Sequence, residues 1–223
     1  MGCKGCDKHN YECITIVPIF GGLSEEERAE IASITVERPL KRGEYIYRQG
    51  ESRGELYVLH TGHVKLYRVS FEGKEQIIRT VGAGEFFGEL SLFSHKKQTD
   101  SAVALESVTM CVIEWEKLRS LMKRIPTIAF KVMEELTSRL EQLEEATLLS
   151  VDQRLARYLI EASKGEKTFQ LPLSKGDVAS LLGISQETLS RKLSLLQQEK
   201  LIKLTGQRGV TILLKEALEE EYL

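Results

Sequence analysis

The chain has 223 residues, 42% hydrophobic and 29% charged, with a formal net charge of −2. That composition describes a globular protein with material for a sizeable core, and the length favours two domains over one. No run of about 18 apolar residues occurs, and the opening "MGCKGCDKHNYEC" lacks the apolar centre of a secretory signal. No membrane-spanning helix and no secretory signal are therefore expected, and a cytoplasmic location with no membrane partner is the expectation.

The first 20 residues form a cysteine-rich segment holding Cys3, Cys6 and Cys13. A short helix is expected at "SEEERAEIA", where Ser24 can cap and Glu25 to Glu27 sit at the positive end of the helix dipole. From about Pro39 to Glu116, runs such as "YIYRQG", "LYVLHTG", "VKLYRVS", "QIIRTVG" and "VTMCVIE" are rich in β-branched and aromatic residues. Glycines at 43, 50, 54, 62, 73, 82, 84 and 88 punctuate them. The expected result is an antiparallel β-roll of the jelly-roll kind within residues 21–116.

From about Trp115 to Leu149 the period changes. Ile125, Ala129, Val132, Leu136, Leu140, Leu143 and Thr147 recur at spacings of three and four, one apolar stripe on a long helix with Pro126 in its first turn. The stripe is narrow and lasts about three heptads, as in a seam between two helices. This predicts a dimerisation helix over residues 117–149, with Ala129, Val132, Leu136, Leu140 and Leu143 at the interface. The alternative is a helix packed on its own β-domain.

Residues 150–223 read as a compact α+β domain. Within it, residues 151–214 carry ten Lys/Arg against six Asp/Glu, a balance of +4, which leaves −6 for the rest. A positive segment in an acidic chain points to an anionic partner. Ser174 and Asp177 form an S-x-x-D helix start, Gly183 falls where a turn needs positive φ, and Ser185 caps a second helix with Leu189, Leu193 and Leu196 inward. Two short helices about a glycine turn, followed by a hairpin at residues 201–214, make a winged helix-turn-helix. The outward face shows Gln186, Glu187, Ser190 and Arg191, types that read base edges in a major groove. Lys192, Lys175 and Arg208 are expected to meet phosphates. The acidic tail "KEALEEEYL" is expected to be solvated.

Cys3-x2-Cys6-x6-Cys13 can place sulfurs on one soft metal, and Cys111 is the remaining cysteine able to complete a set of four. His9 is a weaker ligand candidate. An iron–sulfur cluster, tetrahedral zinc and a metal-free reversible disulfide all suit these residues.

Together these parts resemble the CRP/FNR family of bacterial transcription regulators over essentially the whole chain. "GELSLF" at 88–93 is similar to the family's roll motif and "GISQETLSRKL" at 183–193 to its recognition helix. Glu187, Ser190 and Arg191 reproduce the E-x-x-S-R pattern of the oxygen-responsive FNR branch. The resemblance implies a homodimer on double-stranded DNA, at an inverted repeat resembling TTGAT-N4-ATCAA, with RNA polymerase as a further partner. It also implies a 4Fe–4S cluster on Cys3, Cys6, Cys13 and Cys111. The x6 spacing exceeds the branch's usual x5, and the short N-terminus resembles the FNR-like proteins of lactic acid bacteria, some of which are thought to use a dithiol switch.

Relatives that bind cyclic AMP pair a Gly-Glu for the ribose with an Arg-Ser for the phosphate. Gly88 and Glu89 are present, but Asp100 precedes Ser101 where arginine is needed, and a carboxylate repels phosphate. Cyclic-nucleotide control is therefore not expected, and Glu89 is expected to be structural. A haem sensor using His60, His63 or His95 is a minor alternative. A cupin-like enzyme lacks its His/Glu triad, so no catalysis is expected.

Overall fold

The computed structural model describes residue 14 and residues 17–222, the last two by backbone alone. The chain divides into two compact units between Leu140 and Glu141.

In the first unit a 3₁₀ turn, Pro18–Phe20, leads to helix α1 (Glu25–Ile34). Ser24 Oγ accepts from the Glu27 amide at 3.2 Å and Glu27 Oε2 accepts from the Ser24 amide at 2.8 Å. This reciprocal cap stabilises the helix start by about 1 kcal/mol. The strands are β1 (Val36–Leu40), β2 (Tyr45–Tyr47), β3 (Glu55–Thr61), β4 (Val64–Val69), β5 (Glu75–Val81), β6 (Phe86–Phe87), β7 (Ser101–Ala104) and β8 (Val108–Glu114). They build two antiparallel four-stranded sheets, ordered β1-β8-β3-β6 and β2-β7-β4-β5. This is the expected roll.

The strand period of two assigns the core. Tyr57 and Leu59 of β3 point between the sheets, joining Ile46, Tyr47, Leu66, Val81, Phe87 and Met110. Leu56 and Val58 face the other way and meet Ile113, Ile14, Val17, Phe20 and Ile31. Strand β1 carries Pro39 and charged residues, which a sheet accepts only at its edge; that is where it pairs, with β8 alone.

Helix α2 (Glu89–Ser94) lies between β6 and β7 in the chain. The single long helix expected from Trp115 is two, α3 (Trp115–Arg124) and α4 (Pro126–Leu148). Ile125 separates them at φ −121° and ψ 79°, because a residue before proline is pushed out of the helical region.

The second unit holds α5 (Val151–Ser163), β9 (Thr168–Gln170), α6 (Lys175–Leu181), α7 (Gln186–Gln198), β10 (Ile202–Thr205), β11 (Gly209–Ile212) and α8 (Lys215–Tyr222). The hairpin β10–β11 is the expected wing, and β9 extends it into a three-stranded sheet ordered β10-β11-β9. The acidic tail is not simply solvated. It folds as α8, which packs on α5 and buries Leu218 completely.

Candidate nucleic-acid interface and cysteine site

The helix pair α6–α7 is built by local chemistry. Ser174 Oγ accepts from the Asp177 amide at 3.1 Å, and Ser185 Oγ accepts from the Thr188 amide at 3.1 Å. Gly183 sits at φ +68°, a left-handed turn conformation that costs glycine nothing. Leu189, Leu193 and Leu196 are buried, which turns Gln186, Glu187, Ser190 and Arg191 to solvent. Glu187, Ser190 and Arg191 line one shallow hollow with Ser194, Leu195 and Gln198. Arg191 Nη2 donates to Glu187 Oε1 at 2.5 Å, one turn away. The pair is about three-quarters exposed, so it contributes only about 0.3–0.5 kcal/mol and is easily re-partnered.

The expected phosphate contacts divide. Lys175 opens α6, and Arg208 is exposed in the turn of the wing hairpin. Lys192 already has a partner within the domain. Its Nζ lies 2.6 and 2.7 Å from the two carboxylate oxygens of Asp152 on α5, and its side chain is only 25% exposed. One position round the helix from Arg191, it faces the α5 flank rather than the open face.

Inside the roll, Gly88 takes φ +91°, and a Cβ there would stand 2.7 Å from the Glu55 carbonyl oxygen. Glu89 is buried, with Oε1 3.2 Å from Arg139 Nη1 and 3.8 Å from Arg79 Nη2. Asp100 is also buried and accepts from the Tyr47 hydroxyl. Burial pushes its carboxyl above the usual range, partly opposed by the Tyr47 hydrogen bond and the charge of Arg68. Burial first, and then Asp100, pushes the Tyr47 hydroxyl far up. Among the histidines considered as haem ligands, His63 Nδ1 lies 2.6 Å from Glu106, and His95 packs edge-on against Trp115. His60 is half-buried, and burial lowers its pKa.

Cys111 is 3% exposed on β8, flanked across the ladder by Val58 and Glu37. Alternation places it on the same sheet face as Ile113. Ile113 and Val58 share their apolar cluster with Ile14 and Val17. Cys3, Cys6 and Cys13 lie outside the described residues, although Ile14 directly follows Cys13 in the chain. Among the described residues no group of three or more His, Cys, Asp or Glu side chains is placed to hold a metal ion.

Residues 37–125 match the cyclic nucleotide-binding domain family and residues 153–221 the Crp-like helix-turn-helix domain family. The chain is 32% identical over 94% of its length to a probable transcriptional regulator flp of Lacticaseibacillus casei, covering 98% of that protein. It is 28% identical over 94% of its length to the fumarate and nitrate reduction regulatory protein of Vibrio cholerae, covering 88% of that protein. The crystal structure of the Thermus thermophilus catabolite activator protein matches with a TM-score of 0.54 and 32% identity, over 91% of this chain and 97% of that one. The chain belongs to the CRP/FNR family. It is a DNA-binding transcription regulator and not an enzyme.

In this CRP/FNR protein the long helix divides its apolar residues between two directions. Ile128 and Val132 are buried in the cluster that holds Ile14 and Val17, with Leu136 packed against it. Val132, expected at the dimer interface, instead lies in the core of its own unit, as in the alternative of a helix packed on its own β-domain. Ala129 is half-buried, and Leu140 and Leu143 are 55% and 65% exposed. Phe130 and Met133, which the stripe omits, are 61% and 52% exposed. The only sequence signal for them is that two large apolar residues fall off the periodic face. Arg79 and Arg139 were equally silent, because nothing local marks an arginine that will be buried.

Proposed function

We propose that this protein is an oxygen- or redox-responsive homodimeric transcription regulator of the cytoplasm. It would bind an inverted repeat resembling TTGAT-N4-ATCAA and engage RNA polymerase. Glu187, Ser190 and Arg191 read base edges, aided by Gln186, while Lys175 and Arg208 meet phosphates. Ala129, Phe130, Met133, Leu136, Leu140 and Leu143 of α4 meet a second copy, which sets the two α7 helices about 34 Å apart, one turn of DNA.

Cys3, Cys6, Cys13 and Cys111 hold a 4Fe–4S cluster in this reading. Four thiolates are a donor set that suits such a group, which would supply, when held by these cysteines, an oxygen-labile tie to Cys111 on the roll. The observation that carries the reading is the shared core: Ile14 and Val17, which follow Cys13 in the cysteine-rich segment, pack in one cluster with Ile128 and Val132 of α4. Anchoring that segment at Cys111 therefore bears directly on the helix that pairs. A helix position that exposed Ile128 and Val132 would lose about 1.5–3 kcal/mol for each side chain, so the state of this shared core can bias the helix. Asp100 in the phosphate position argues against cyclic-nucleotide control.

The test is anaerobic purification followed by visible spectroscopy, with iron, sulfide and zinc analysis. Broad absorbance near about 400 nm with matching iron and sulfide supports the cluster. One zinc per chain without colour, or neither metal together with two thiols lost on oxidation, would replace it by the zinc or the dithiol reading. Cys111→Ala should weaken anaerobic operator binding; unchanged binding sinks the coupling.

A further inference from the structure

Arg139 stands one residue before the boundary between the two units, and its guanidinium is turned into the roll. Nη1 is 3.2 Å from Glu89 Oε1, Nη2 donates to the Phe86 carbonyl at 3.3 Å, and Nε donates to Glu135 at 3.0 Å. Its Cζ lies 4.1 Å over the Phe86 ring, and the side chain is only 15% exposed. Arg79 donates to the same Phe86 carbonyl at 2.8 Å. Two arginines from β5 and α4 thus converge on one carbonyl and one buried carboxylate. The second oxygen of Glu89 is buried with no hydrogen-bond partner.

A joint of this kind is a poor source of net stability, because desolvating the charges offsets their attraction. What it supplies is direction. Apolar packing at Ile128 and Val132 tolerates sliding and small rotations, whereas a guanidinium bonded to three acceptors does not. At 100° per residue Arg139 lies in line with Val132, two turns away, while Phe130, Met133 and Leu140 lie about 80–160° round the helix.

We propose that Arg139 is a positioning residue: its clasp on Glu89 and the Phe86 carbonyl, backed by Arg79, sets the rotation of α4 and so the direction in which Phe130, Met133 and Leu140 face a second copy. The inference rests on the reading of α4 as the pairing helix. The joint is made wholly of the chain's own groups, side chains of Arg79, Arg139 and Glu89 and the Phe86 carbonyl, and needs no ligand at the cysteine site.

The test uses the full chain with Arg139→Gln, Arg139→Lys and Glu89→Gln. Sedimentation equilibrium measures dimer dissociation, and amide hydrogen exchange follows residues 133–140. Arg139→Gln should weaken the dimer about tenfold and speed exchange there, and Arg139→Lys should recover only part of either effect. Glu89→Gln added to Arg139→Gln should cost less than the two single effects combined, as for groups in one network. Wild-type dimerisation and exchange in Arg139→Gln overturns the clasp, as does strict additivity. If Arg139→Gln fails to fold, Arg139→Lys and Glu89→Gln must still shift both readings in the same direction, or the clasp is wrong. Failure of the underlying reading looks different: a monomeric wild type, or Met133→Glu with undiminished dimerisation, removes α4 from pairing, and exchange alone then judges the clasp.

Discussion

Lys192 and Asp152, forty residues apart, form a two-oxygen ion pair at 2.6 and 2.7 Å that ties α7 to α5. Helix α7 is thereby braced from behind while Arg191, its sequence neighbour, faces outward. Lys192→Gln should lower the melting temperature of the protein and leave the dependence of DNA affinity on salt unchanged. Lys175→Gln and Arg208→Gln, each removing one phosphate contact from both protomers, should each reduce the log–log salt slope by about 1.8. A slope change of that size in Lys192→Gln would return the residue to the phosphate contacts.

Arg191 and Glu187 already bond one another, so base reading requires only that an exposed pair exchange partners. Arg191→Ala should cost about 1–3 kcal/mol of discrimination at one position of the half-site. Glu187→Ala should relax a different position, with no more than about 0.5 kcal/mol lost in stability. Competition gel shifts with single-base operator variants separate the two. Uniform weakening across all sequences would assign both residues to the backbone.

The two directions of α4 separate folding from pairing. Val132→Ala removes buried volume and should destabilise the chain by about 2 kcal/mol in denaturant unfolding. Leu140→Glu, on an exposed position, should leave monomer stability within about 0.5 kcal/mol and weaken dimerisation. The opposite pattern would mean that the helix pairs through its other face.

Asp100 carries a pH signature. Burial raises its folded-state pKa, so the folded chain holds the proton more tightly than the unfolded one and loses stability as pH rises above the usual carboxylate range. Asp100→Asn keeps an acceptor for Tyr47 without the charge. It should melt higher than wild type at pH 7, by roughly 2–4 °C for each kcal/mol gained. The gap should close as pH falls toward about 4. A gap independent of pH would show that the charge is not the cause.

The winged helix-turn-helix was legible because its signals are local. Ser174, Ser185, Gly183 and the leucine spacing each act within about one helical turn, and the strands "LYVLHT" and "VTMCVIE" carry their own period. Strands β1, β6, β7 and β9 were missed for local reasons too: they are short, and β1 carries an edge proline that reads as a break. The buried face of α8 was missed because one leucine among acidic residues has no period to reveal it.

The sequence by itself thus determined the succession of roll, helical stretch and winged helix-turn-helix, with the family it resembles, and the outward face of α7, since those signals lie within a few residues. Only the tertiary structure decided that Val132 belongs to the roll, that Lys192 braces α5, and that Arg139 reaches Glu89 fifty residues away. The reason is that a charge or an apolar side chain takes its meaning from what it meets. For these residues the partner comes from a distant part of the chain, so no local spacing encodes it.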